Sequence, residues 1–337
     1  MGVRLWDILP RKEISLPFLK GKTLAVDASP ILYQFLSSIR QPDGTLLLDE
    51  GGRVTSHLMG ISTRIPKLME AGVRLCFCFD GKPPILKQQE QENRAHRKKV
   101  AAERLATAKE EGDVAAVAKY SRQVIFLNEE VISQSKELLR AFGIPFISCP
   151  GEAEAQAAHI CKKGDAYAVL SQDSDAFLYE TPRLIRNLTV SSRRRTSSGT
   201  LVSISPEFFE LSSIYSSLSL TREQLLGIAI LTGTDYNVGG VPGIGAKKAL
   251  KLVHQYPYLS ELFSHLNAPF SWQDVLDVFE HMPILKDYSL SWSFPDADLI
   301  WDILVIRHNF SEERVSKLIS LLNALSSHKQ RTLGEFP

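Results

Sequence analysis

Seven acidic residues fall where folding would gather them. Asp27 ends the apolar run Thr23-Leu24-Ala25-Val26, and Asp80 ends Val73-Arg74-Leu75-Cys76-Phe77-Cys78-Phe79. Glu152 and Glu154 open a helical stretch after Phe146-Ile147, Asp173 and Asp175 follow Tyr167-Ala168-Val169-Leu170, and Asp235 sits in the glycine-containing loop Thr232-Gly233-Thr234-Asp235. The pairs 152/154 and 173/175 are spaced i, i+2, which lets two carboxylates flank one cation in a turn or a first helical turn. Gathered like charges cost ~4 kcal/mol per pair at 4 Å and an effective dielectric of ~20, so such a set demands counter-charge. All-oxygen ligation favours Mg²⁺ or Mn²⁺. This many acids suits two ions, which clamp the attacking and leaving oxygens of a phosphodiester from ~3.5–4 Å apart.

The elements that must position these acids are short buried strands of a mostly parallel sheet. In such a sheet the strand ends of one kind lie along one edge, so the first six acids should converge there. Between strands lie a polar hairpin around Asp49-Glu50-Gly51-Gly52, a helix from about Thr55-Ser56 to Gly72, and a helix over about 152–163. The alternation predicts an α/β fold with helices on both faces. Residues 82–122 break the rhythm with a polar, helix-prone insertion holding ten basic and six acidic residues. From about Ser205 the pattern turns helical, over 221–231, 244–254, 272–280, 296–306 and 311–325. One compact unit, 1–325, is expected, made of parts 1–81, 82–122, 123–235 and 236–325 and followed by a flexible tail, 326–337.

The bulk composition is ordinary, with 44% hydrophobic and 23% charged residues in 337. The formal charge is +1, but setting aside the seven acids leaves 31 against 39 basic residues, a basic remaining surface. No apolar run reaches the ~20 residues that span a bilayer, so neither an anchor nor a leader is expected. Trp6 stands where a myristoylation motif wants Ser or Thr. Cys76, Cys78, Cys149 and Cys161 form no CxxC pair and no zinc spacing, which reads as reduced core thiols.

Five stretches, in order, resemble the signature set of the flap endonucleases, an α/β, PIN-like family of structure-specific 5′ nucleases. They are Val26-Asp27-Ala28-Ser29, Phe79-Asp80-Gly81-Lys82-Pro83-Pro84, Gly151-Glu152-Ala153-Glu154-Ala155, Ser171-Gln172-Asp173-Ser174-Asp175 and Gly233-Thr234-Asp235-Tyr236. The resemblance covers nearly the whole chain, from Met1-Gly2-Val3 onward. It implies that Asp27, Asp80, Glu152 and Glu154 serve a first Mg²⁺ and Asp173, Asp175 and Asp235 a second. It implies that Lys87 and Arg94 steer the scissile phosphate, that Tyr33 stacks on a base, and that Arg40 and Arg64 contact substrate strands. The amine of Gly2 is expected near the site. The 82–122 insertion resembles the family's helical arch, under which a single 5′ strand passes, with Arg97, Lys98 and Lys99 lining the passage.

Gly243-Ile244-Gly245-Ala246-Lys247-Lys248 turns into a helix, offering backbone N–H groups and a positive dipole to a phosphate. It resembles the family's helix-two-turn-helix, which grips duplex DNA beside a K⁺ ion without reading sequence. Pro242 replaces a usual basic residue there, and Ile125 and Asn128 stand at positions that are basic in some relatives. The end of the chain resembles a sliding-clamp peptide through Gln330, Leu333 and Phe336, with Pro337 in place of a second aromatic, so clamp binding is expected to be weakened. No basic tail follows, which points to an archaeal-type protein working in the cytoplasm, a eukaryal one being expected in the nucleus; a monomer is expected.

The expected activity is cleavage of DNA at 5′ flaps, with a lesser exonuclease activity from 5′ ends. A related 5′→3′ exonuclease or Holliday-junction resolvase is the alternative, followed by a non-catalytic DNA scaffold. A haloacid-type phosphatase needs Asp-x-Asp on its first strand, and Ser29 excludes it.

Overall fold

Thr23–Asp27 is buried without interruption, so this strand belongs in the middle of a sheet covered on both faces. The computed structural model describes residues 5–41, 44–121, 123–124, 127–189, 193–195 and 201–333. Its strands are β1 (Lys12–Glu13), β2 (Thr23–Asp27), β3 (Arg74–Phe79), β4 (Phe146–Ser148), β5 (Ala168–Leu170), β6 (Arg183–Arg186), β7 (Arg193–Arg195), β8 (Leu201–Ser203) and β9 (Glu207–Glu210). The helices are α1 (Ala28–Ser38), α2 (Ser56–Glu70), α3 (Gln88–Glu110), α4 (Val114–Ser121), α5 (Glu129–Ala141), α6 (Ala153–Lys163) and α7 (Leu211–Leu218). They continue with α8 (Arg222–Thr232), α9 (Ala246–Gln255), α10 (Leu259–Ser264), α11 (Trp272–Glu280), α12 (Ala297–Trp301) and α13 (Glu312–Leu333).

Seven strands pair in the order β1-β9-β6-β5-β2-β3-β4. The run from β6 to β4 is parallel, while β9 and β1 add an antiparallel edge. The chain leaves β2 for β3 and β4 on one side, then crosses to β5 on the other. Strand order reverses at β2, and a crevice opens beyond its carboxyl end. Alternation along β3 splits the core. Cys76 and Cys78 join Ala25 and Val169 on one face, covered by α6, α8 and α9. Leu75, Phe77 and Phe79 join Leu24, Val26 and Leu170 on the other, covered by α1, α2, α5 and α13. All four cysteines are free and buried, and burial, helped by Asp165 and Cys161, pushes the Cys76 thiol up to about 12.

Within the insertion, α3 and α4 form a helical hairpin. Along α3 only Glu90, Ala101 and Ala108 are buried. Arg104 on α3 lies over the Tyr120 ring of α4, 5.8 Å from its centroid.

Several elements differ from the sequence expectation. Arg193–Arg195 forms β7, paired antiparallel with β8, a pairing that was not anticipated. Helix α5 was not anticipated; Asn128 caps it by accepting the Val131 N–H at 2.9 Å, a use that a basic side chain there would not serve. The stretch expected as one helix over 296–306 is α12 followed by a π-helical turn, Asp302–Arg307. α13 runs to Leu333 instead of ending near Leu325, because no proline or glycine interrupts it before Gly334. Residues 326–333 are therefore helical rather than an extended tail. No helix among the described residues is long and apolar enough to cross a membrane.

Buried in α2, the His57 ring holds Gln134 Oε1 at 2.9 Å through Nε2, and its Nδ1 has no partner. Burial, reinforced by nearby His308 and only partly opposed by the Gln134 hydrogen bond, depresses its pKa to about 4. Unfolded, the ring titrates near ~6.5. The neutral ring stabilises the fold fully above that value, and the contribution is lost as acid protonates the unfolded state first. Between pH 6.5 and 4, denaturant titrations should show a loss of about 3 kcal/mol from this group, and the slope should flatten in His57→Gln.

Candidate active site

Each acid is positioned by its own backbone device. Asp27 closes β2, is 2% exposed, and accepts a hydrogen bond from the Ser171 hydroxyl at 3.0 Å. The same hydroxyl accepts the Asp173 N–H at 3.2 Å, so Ser171 joins two of the acids. Asp80 follows β3. Its Oδ1 accepts the Ala153 N–H at 2.8 Å and its Oδ2 the Ser29 hydroxyl at 2.5 Å. That places Asp80 at the N-terminus of α6, whose cap and first turn carry Glu152 and Glu154. The close approach requires glycine next door. A Cβ at Gly81 would lie 1.9 Å from the Cys149 carbonyl oxygen, and the Gly81 N–H bonds Gly151 O at 2.8 Å. Asp175 opens a short 3-10 turn after β5.

Asp235 comes from the other half of the chain. Its loop is braced by Asn237, whose Oδ1 accepts the Thr234 N–H and hydroxyl at 3.0 and 2.7 Å and whose amide donates to Ile230 O at 2.7 Å. Gly233 adopts φ +96°, with Gly240 N only 2.7 Å from the place of a Cβ. All seven acids line one cleft of about 1040 Å³, roofed by α3.

Their electrostatics are mutual. Burial, then Asp80 and Asp173, holds Asp27 well above the ordinary carboxylate range. Burial, then Asp175, Asp27 and Asp173, does the same to Glu154. Burial also raises Glu152, against the opposing pull of Lys87. The chain itself supplies two positive groups. Lys87 Nζ lies 2.6 Å from Glu152 and 3.4 Å from Asp235, and Arg94 Nη2 lies 2.9 and 2.8 Å from the two Asp235 oxygens. Burial alone would lower the Lys87 pKa, yet Glu152 and Asp235 raise it on balance.

Among the described residues, no three His, Cys, Asp or Glu side chains close into a group able to hold an ion as they stand. Lys87 bridges Glu152 and Asp235, and Arg94 holds Asp235. The donor chemistry nevertheless fits hard divalent cations: seven carboxylates, several held above their ordinary range by burial and one another, with no thiol in the lining.

The other anticipated residues are scattered. Tyr33, 42% exposed, lines the cleft with Arg97 and Lys98. Arg40 is committed elsewhere, donating to Gly44 O at 2.9 Å and to the Ser121 hydroxyl and carbonyl at 3.2 Å each, which ties the end of α4 to the body. Arg64 lies on α2, half-buried. Gly243, Gly245, exposed Lys247 and exposed Lys248 form the turn into α9, with Gly243 at φ +75°. Gln330 and Leu333 fall on the last turns of α13, and Gly2, Ile125 and Phe336 lie outside the described residues. Glu90 went unnoticed in the sequence: it is buried, lines the cleft, and carries an eighth carboxylate.

Because the acids repel in the absence of added cations, Mg²⁺ at about 100 times its Kd should stabilise the protein by roughly 2.7 kcal/mol for each ion bound. Glu154→Gln should melt higher than the wild type in EDTA and gain less from Mg²⁺, as read by thermal denaturation in both buffers.

Residues 1–101 match the family model of the XPG N-terminal domain and residues 143–235 that of the XPG I-region. The chain is 44% identical over 335 residues to flap endonuclease 1 of Pyrococcus horikoshii, covering 99% of this chain and 97% of that one. It is similar to the solved flap endonuclease-1 of Methanococcus jannaschii, with 36% identity, TM-score 0.79, and coverage of 97% and 100%. It also resembles the catalytic core of Rad2 in complex with DNA substrate, with 25% identity, TM-score 0.69, and coverage of 95% and 100%. With nearly the full length of both chains aligned and the acidic cleft in place, this protein belongs to the flap endonuclease 1 family of structure-specific DNA nucleases.

Proposed function

We propose that this chain hydrolyses DNA at the base of 5′ flaps, leaving a 5′-phosphate and a 3′-hydroxyl, in DNA replication and repair. The observation that carries the reading is the single cleft lined by seven carboxylates beneath a helix bearing Lys87 and Arg94. Asp27, Asp80, Glu152 and Glu154 would hold one Mg²⁺, and Asp173, Asp175 and Asp235 a second, with Mn²⁺ able to substitute. Bound divalent cations supply charge neutralisation at the scissile phosphate and acidify the attacking water.

The chain's own residues do the rest. Lys87 and Arg94 move from carboxylate partners to the phosphate, where they stabilise charge that grows in the transition state. Tyr33 offers a stacking face at the cleft mouth. The α3–α4 hairpin admits a single strand, so selection rests on strand flexibility rather than base contacts. The turn at Gly243–Gly245, with Lys247 and Lys248, grips the duplex backbone beside K⁺, and Arg64 adds a strand contact. Gly2 completes the site. Gln330, Leu333 and Phe336 dock on a sliding clamp, weakly because Pro337 lacks a ring, and the protein acts as a cytoplasmic monomer. Arg40 keeps its assignment as a DNA contact only if substrate displaces its bonds to Ser121 and Gly44.

The direct test is a labelled double-flap DNA incubated with Mg²⁺, with EDTA, and with the 5′ end blocked. Cleavage should occur in the first, stop in the second and slow sharply in the third; unchanged cutting of the blocked flap would remove the arch from the reading. Asp175→Ala should abolish cleavage while flap binding persists in a gel-shift assay. Lys87→Ala should slow single-turnover cleavage roughly 100-fold with little loss of binding, whereas equal losses would make Lys87 a simple contact.

A further inference from the structure

We propose that Glu90 is a positioning residue for this cleavage, its buried carboxylate aiming the guanidinium groups of Arg94 and Arg97 into the cleft. The inference rests on the reading above and adds a residue to it. Glu90 is 6% exposed although Gln89, Gln91, Glu92 and Asn93 beside it are exposed. Its Oε1 accepts both the Arg94 Nε–H at 2.7 Å and the Arg97 Nη2–H at 2.9 Å. The spacings i, i+4 and i, i+7 put all three residues on the helix face that lines the cleft. Arg94 is thereby held at two points, its Nε by Glu90 on the arch and its Nη2 by Asp235 on the body.

The two holds differ in kind. Asp235 belongs to the acid set and has other uses for its charge, whereas Glu90 bonds only arch residues among the described contacts. A carboxylate facing a polyanion's path weakens binding electrostatically, so Glu90 opposes DNA affinity. It can assist the reaction only by fixing donors in advance, and small misplacements of such groups cost large factors in rate.

Single-turnover cleavage with Mg²⁺ and flap-DNA binding with Ca²⁺ separate these effects. Glu90→Ala should slow cleavage roughly ten- to a hundredfold while its flap-DNA Kd stays level or falls. Glu90→Gln should recover most of the lost rate, because both hydrogen bonds land on one oxygen that an amide retains. In an Arg94→Ala/Arg97→Ala background the Glu90→Ala loss should largely vanish, as expected of a residue acting through those two. Equal losses of rate and affinity, a Glu90→Gln variant as slow as Glu90→Ala, or full additivity in that background would each overturn the proposal. A wild-type chain that cleaves nothing overturns the parent reading and this one with it. A cleaving wild type with an unaffected Glu90→Ala overturns this one alone.

Discussion

Repulsion among buried carboxylates is the constraint around which this molecule is organised. Asp27 and Glu154 are pushed well above the usual carboxylate range by burial and by one another's neighbours, and a sheet that collects such groups at one edge must neutralise them. The fold meets that need from the arch. Lys87 and Arg94 reach down to Glu152 and Asp235, so part of the roof's attachment is also part of the floor's electrostatics. Loss of either weakens both.

The sheet is less tolerant than its cover. β2 is buried on both faces; Asp27 ends it, Asp80 follows its neighbour β3, Asp173 and Asp175 follow its neighbour β5, and Glu152 caps α6 after the edge strand β4. Ser171 couples Asp27 to Asp173, and Asp80 is pinned to the first N–H of α6. These short bonds leave the acids little freedom to separate, so relief must come from cations rather than from movement. Of the seven, Asp235, on a loop braced by Asn237, is the one contributed from outside the sheet and α6, and both Lys87 and Arg94 contact it.

What could be read from the sequence follows from which signals are local. Asp27 and Asp80 were legible because each terminates an uninterrupted apolar run, and the parallel order of such runs places their ends together. The antiparallel edge was not, since Lys12–Glu13 and Glu207–Glu210 are short and charged, and only their pairing makes them strands. Glu90 was hidden for a related reason: it sits in the first half of α3, where nearly every side chain is polar or charged, and nothing local separates the one buried acid from its solvated neighbours. Arg40 shows the opposite failure. Its type and place suggested DNA, while its guanidinium is taken up by Ser121, eighty-one residues away, a contact no spacing rule contains.

The scarcity of buried apolar groups on α3, which has only Ala101 and Ala108, gives body and roof different thermal characters. Apolar packing, which dominates the body, stops gaining strength per unit area as the solution warms, whereas the dehydration cost of joining opposite charges shrinks. Warming therefore raises the share of the roof's attachment that rests on Lys87 and Arg94 gripping Glu152 and Asp235. The lid stays latched by the same charges that the chemistry borrows.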